Sequence, residues 1–172
     1  MNKTNNTSKR WISLFVENDI GVLAKISGLF SGKSYNLDSL TVGVTEDPTV
    51  SRMTISVTSD DITFEQIKKQ LNRSVEVIKV IDLSDISINM KEIMFIKVNK
   101  CTERDKEEVF RMERVFGLKV VDYDRNSILI ECVNTESKNN ELVKLFSKAF
   151  LNRIVVVRGG SVAIESVTRT DR

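Results

Sequence analysis

Histidine is absent from the 172 residues, proline occurs once, and cysteine occurs twice. Without histidine the chain lacks the commonest general base and metal ligand near neutral pH, which argues against an autonomous enzyme. Cys101 and Cys132 are too few for a zinc site or a disulfide scaffold, so both read as reduced thiols in a cytoplasmic protein. No window reaches the roughly 18 apolar residues that a spanning helix needs. Met1 to Arg10 is polar and lacks the apolar centre of a signal segment, so a short disordered tail over residues 1–9 is expected. Charge of one sign is also missing: 26 basic and 24 acidic residues alternate along the chain, a solvated surface and not a nucleic-acid footprint.

What is present is enough apolar residue, 41%, to build a core, with 29% charge to keep it soluble. The length leaves one large domain or two small ones open.

Periodicity divides the chain into elements. Ile12, Leu14 and Val16 share one face of a strand over 11–16, with Trp11 and Phe15 on the other. Val22, Leu23, Ile26, Leu29 and Phe30 stripe a helix that Gly32 stops. Leu40, Val42 and Val44 alternate as a second strand and Met53, Ile55 and Val57 as a third, joined through Glu46-Asp47-Pro48-Thr49. Thr63 and Gln66 have capping-box spacing before Phe64, Ile67 and Leu71, and Val75 to Ile81 is β-branched. The order is βαββαβ, which suits a four-stranded antiparallel sheet with both helices on one face.

The pattern then repeats. Ile93 to Val98 reads as a strand, and Thr102 caps a helix ending at Gly117. Leu118 to Tyr123 and Ile128 to Val133 flank a turn, and Leu142, Leu145, Phe146, Ala149 and Phe150 stripe a fourth helix. Ile154 to Val157 and Val162 to Val167 read as separate strands. Corresponding elements lie roughly 75 to 82 residues apart, which predicts two tandem ferredoxin-like βαββαβ domains of the α+β class, over 10–84 and 85–172.

The segment Glu17-Asn18-Asp19-Ile20-Gly21-Val22-Leu23 puts a glycine at the start of a helix directly after a strand. Backbone N–H groups of Gly21, Val22 and Leu23 would be unpaired there, and the helix dipole favours an anion, so a carboxylate could dock. The competing reading is an ordinary tight turn with Asn18 or Asp19 as the helix cap. Asn36 reads as a turn residue on physical grounds alone. Glu17, Asp19, Asp38, Glu46 and Asp47 lie mostly at element ends, where carboxylates cap helices and turns, and no metal site is assigned to them.

Taken together, Glu17 to Leu23, Tyr35-Asn36-Leu37-Asp38-Ser39-Leu40-Thr41-Val42 and Asp47-Pro48-Thr49-Val50-Ser51-Arg52-Met53-Thr54-Ile55 closely resemble the acetolactate synthase small-subunit family, over about residues 10 to 168. The resemblance implies an N-terminal ACT domain that binds effector and dimerises, and a C-terminal ACT-like domain. It implies a regulatory protein without catalytic residues, metal or cofactor of its own. Its partner would be a catalytic large subunit carrying thiamine diphosphate, magnesium and FAD, in branched-chain amino acid biosynthesis. The effector would be valine or another branched-chain amino acid between paired ACT domains. Its carboxylate would meet Gly21, Val22 and Leu23, with Asn18 nearby and Asn36 reaching from the partner chain. Two departures stand out: Ser34 and Asn152 occupy positions where the family often has glycine.

Three other readings compete. A free-standing ACT-type sensor would control some other enzyme or regulator. An RNA-binding pair of domains would need aromatics on the central strands, which Met53-Thr54-Ile55-Ser56-Val57 lacks. A hydrolase using Arg52 would need a phosphate-cradling glycine loop, and none accompanies it.

Overall fold

Side-chain alternation decides the first sheet. In the computed structural model, which describes residues 7–32 and 35–167, Ile12, Leu14 and Val16 of β1 (Ser8–Glu17) are fully buried. They meet Met53, Ile55 and Val57 of β3 (Val50–Ser59) in antiparallel register, with Ile12 opposite Ile55 and Leu14 opposite Met53. The same buried cluster holds Val22, Ile26 and Phe30 of α1 (Val22–Ser31) and Phe64, Ile67 and Leu71 of α2 (Asp61–Leu71). Both helices therefore cover one face, the arrangement that a period-2 apolar face and two amphipathic stripes demand. β2 (Leu37–Val44) and β4 (Val77–Asp82) close the order β2-β3-β1-β4, which leaves β2 and β4 as edges.

The second half repeats the order with β5 (Ile88–Asn99), α3 (Glu103–Phe116), β6 (Lys119–Tyr123), β7 (Ser127–Asn134), α4 (Glu136–Ala149) and β8 (Ile154–Glu165). Its sheet runs β6-β7-β5-β8, and Met94, Ile96, Val98, Ile130, Cys132 and Phe146 form its core. The fold is α+β, two ferredoxin-like βαββαβ repeats. By contacts the chain divides into two compact units: the residues up to Asn89 with those from Ala163, and Met90 to Val162.

Several local expectations shift. Of the tail expected over 1–9, Ser8 and Lys9 belong to β1, because Ser8 pairs with Ser59 and Lys9 with Thr58. The first six residues and Ser34 lie outside the described ones. α2 is capped by Asp60, whose carboxylate accepts the Thr63 N–H, and not by Thr63 itself. Gly32 ends α1 with φ −65°, so the stop needs no left-handed glycine. Asn152 does take the left-handed backbone, at φ 56°. The two last strands merge into one, β8, across Gly159 and Gly160. A Cβ at Gly159 would come within 2.9 Å of Ile93 Cγ2, so the side-chain-free position lets β8 lie against β5. Burial pushes the Cys132 thiol up to about 11 and raises Cys101 as well, which keeps both as inert thiols.

An ion pair on a buried carboxylate ties three elements of the second unit together. Glu92 on β5 is only 3% exposed. Arg158 of β8 donates Nε and Nη2 to its two oxygens at 2.9 and 2.6 Å. Asn139 of α4 donates Nδ2 to Glu92 Oε2 at 3.0 Å and to the Glu92 carbonyl at 3.2 Å. Burial alone would raise the Glu92 pKa, but the hydrogen bonds from Arg158 and Asn139 and the arginine charge outweigh it and hold the carboxyl below its ordinary value.

Glu92→Gln is expected to destabilise the chain by about 1.5 kcal/mol at neutral pH, because it weakens the charge-assisted hydrogen bonds between Arg158 and a buried carboxylate. A folded pKa below the unfolded one means that this stabilisation is present above the ordinary glutamate range and is lost as pH falls through the folded value. Urea titrations at a series of pH values should therefore show the gap between wild type and Glu92→Gln closing below about pH 4.3, the unperturbed glutamate pKa.

Candidate functional site

The first unit carries one helix that starts without a cap. At α2, α3 and α4 the side chains of Asp60, Thr102 and Thr135 accept the N–H groups of Thr63, Asp105 and Lys138, and each first turn holds an acidic residue. α1 has neither a side-chain cap nor an acidic residue in its first turn. Its N-cap is Gly21 at φ 85°, a left-handed conformation that disfavours a side chain. The tight-turn reading with Asn18 or Asp19 as cap is therefore not what forms. Asp19 Oδ1 accepts the Ile20 N–H at 2.7 Å, and the Asn18 side chain makes its hydrogen bonds to the β2–β3 turn and not to the N–H groups of the helix start.

Asn18 binds the β2–β3 turn instead. Its N–H donates to the Thr49 carbonyl at 2.7 Å, and its Nδ2 donates to the Pro48 carbonyl at 2.9 Å. The Ser51 hydroxyl donates to its Oδ1 at 3.0 Å. The turn is itself held by Asp47, whose Oδ1 accepts the N–H and hydroxyl of Thr49 at 2.9 and 2.7 Å and whose pKa those bonds lower. Sequence reasoning overlooked Ser51. The available signal was its period: it occupies a core-facing position in line with Met53, Ile55 and Val57, where a hydroxyl needs a partner.

Gly21, Val22 and Leu23 therefore present the first backbone donors of α1. The Val22 N–H makes only a 3.4 Å bond to the Asp19 carbonyl. A Cβ built on Gly21 would meet nothing within 4 Å, so the space in front of the turn is open. Exposed apolar side chains flank it in the chain and occupy the β2 edge. Ile20 is 98% exposed and Leu23 45%, while Val42 and Val44, on the β2 edge, are 48% and 60% exposed. Val44 pairs with Ser51, which places that end of β2 beside Asn18. Unpaired donors at the positive end of a helix dipole, next to apolar surface, suit a small ligand with a carboxylate and an aliphatic body.

Asn36 is not part of this cluster within one chain. It donates to Asp38 Oδ1 at 3.3 Å, beside the β2 residue Leu37 that pairs with Val57. Glu17, next to Asn18, pairs with Val50. Seven residues of β3 separate the two levels, about 23 Å at 3.3 Å per residue.

The other candidates are occupied. Arg52 Nε donates to Ser13 Oγ at 2.8 Å, its guanidinium lies 5.0 Å from the Phe15 ring centre, and Nη2 bonds Glu165 at 3.2 Å, all within the first unit. Among the described residues no group of three or more acidic or cysteine side chains could hold a metal ion. No described helix is long and apolar enough to cross a membrane.

Comparison with known proteins bears on the same residues. Residues 12–79 match the AHAS small subunit-like ACT domain, and residues 91–167 match the family described as small subunit of acetolactate synthase. The chain is 39% identical over 156 residues to the acetolactate synthase small subunit of Aquifex aeolicus, covering 91% of this chain and 80% of that one. It is 35% identical to that of Haemophilus influenzae, covering 91% and 94%. The crystal structure of the small subunit from Thermotoga maritima superposes with a TM-score of 0.83 at 33% identity, over 94% of this chain and 99% of that one.

Gly21→Ala should fold with a loss of about 1 kcal/mol, the conformational penalty of a left-handed residue with a Cβ, because nothing stands where the methyl would go. Urea unfolding at unchanged slope checks this; a loss above about 3 kcal/mol would reveal a steric role for the glycine.

Proposed function

The chain belongs to the acetolactate synthase small-subunit family, and on that premise we propose that it binds and activates a separate catalytic large subunit and confers feedback inhibition by valine. Valine, or another branched-chain amino acid, would sit between two ACT domains of a homodimer. The region 10–84 is then the effector-binding and dimerising ACT domain, and 85–172 the C-terminal ACT-like domain. The joining of pyruvate to an acceptor 2-oxo acid, with thiamine diphosphate, magnesium and FAD, belongs to the other polypeptide, in the cytoplasm.

The observation that carries the effector assignment is the uncapped start of α1 at Gly21 beside exposed Leu23, Val42 and Val44. The carboxylate would take the N–H groups of Gly21, Val22 and Leu23, and the isopropyl group the apolar strip. The position of Asn36 supports a dimer. β2 is an edge strand, and antiparallel apposition of two such edges about a twofold axis brings the Asn36 end of one against the Val44 end of the other. Asn36 of the partner subunit would then complete a site that one chain leaves open. Ligand and dimer are linked under this arrangement, so valine strengthens association.

Inhibition follows as a population shift. Valine favours an arrangement of the dimer in which the catalytic subunit is less active, and it must bind the two arrangements with affinities differing about 5- to 150-fold.

Acetolactate formation by the same organism's catalytic subunit, measured with and without this chain across a valine titration, tests the proposal. Activation that valine reverses is expected. Activation untouched by valine, leucine or isoleucine would remove the effector part, and no activation and no co-purification would remove the partner. Gly21→Asp places a fixed carboxylate where the ligand's would dock, and calorimetry on the folded variant should show valine binding weakened at least tenfold.

A further inference from the structure

Asparagine side chains have two orientations that exchange a donor for an acceptor, and their neighbours decide between them. At Asn18 the neighbours are unequal. The Pro48 carbonyl accepts only, so Nδ2 must face it, and Oδ1 is left toward the Ser51 hydroxyl. Ser51 is 6% exposed, opposite Val16 on β1 and Val44 on β2, where a hydroxyl without a partner would be costly. Its hydrogen goes to Asn18. The Asn18 side chain, at the exposed end of the turn, keeps one N–H of Nδ2 beyond these bonds.

We propose that Ser51 is a positioning residue for effector binding: the Pro48 carbonyl sets which way round the Asn18 amide lies, and the Ser51 hydroxyl clamps its other end, so that the remaining N–H of Nδ2 is held toward the carboxylate of the amino acid. The inference rests on the effector reading above. A carboxylate accepts hydrogen bonds and repels a carbonyl oxygen, so an Asn18 amide held at one end only, by the Pro48 carbonyl, would present its N–H to the ligand for less of the time. Ser51 also makes the β3 strand part of the site, since the turn holding Asn18 cannot shift without the strand that carries the hydroxyl.

The test is calorimetric titration of valine into the full chain for wild type, Ser51→Ala, Asn18→Ala and the double variant, with Ser51→Cys as a near-isosteric change that keeps only a weak donor. Ser51→Ala should weaken valine roughly tenfold, the order of one oriented hydrogen bond to a charged group, and Ser51→Cys by less. In the Asn18→Ala background, removing the Ser51 hydroxyl should change affinity by less than about twofold, because its only route to the ligand is gone. An equal loss in both backgrounds would show that Ser51 acts through strand packing and overturn the proposal, as would Ser51→Ala and Ser51→Cys variants that bind like wild type. A wild-type chain that binds no branched-chain amino acid would instead overturn the effector reading itself.

Discussion

A left-handed backbone at Gly21 lets the chain leave a central strand and enter a helix over the same sheet within the four residues from Asn18 to Gly21. The rest of the first unit depends on that bend. Val22, Ile26 and Phe30 reach the core because α1 starts where it does, and they pack on Ile12, Leu14 and Val16. A bend made by backbone alone leaves no side chain to close the helix start. The two polar residues that could have closed it are committed elsewhere, Asp19 to the Ile20 N–H and Asn18 to the β2–β3 turn. The open donors are thus a by-product of the same geometry that builds the core.

Much of this was legible in the sequence, for physical reasons that differ by element. Strand faces were readable because the apolar alternation in β1 and β3 corresponds to a buried row. Thr102 was readable as a cap because its partner, Asp105, lies three residues on in the same helix. Asp60 was missed because Thr63, with Gln66 after it, offered the same local spacing one turn later. β8 was read as two strands because paired glycines normally break a strand. Only the approach of Ile93, 66 residues earlier in the chain, explains Gly159 within one.

The candidate site was legible to the extent that it is contiguous. Asn18, Gly21, Val22 and Leu23 fall on one turn, so the sequence placed them together. Ser51 joins them only through strand register, and Asn36 is separated from them by the same register. Local sequence does not encode registers that depend on pairings between strands distant along the chain. The set of Glu92, Arg158 and Asn139 was hidden likewise, since it assembles from two strands and a helix.

The two repeats differ at their corresponding helix starts. Thr102 closes α3 in a reciprocal cap with Asp105, and Arg153 donates to both oxygens of that carboxylate at 2.8 and 3.1 Å, which holds its pKa well below the ordinary aspartate range. The second repeat thus brings its own anion, permanently installed by covalent attachment, to the place where the first leaves bare backbone. A tethered carboxylate has no concentration dependence, so the start of α3 is closed whatever its surroundings hold. Of two copies of one architecture, the one lacking that built-in acid is the one whose helix start is left uncapped.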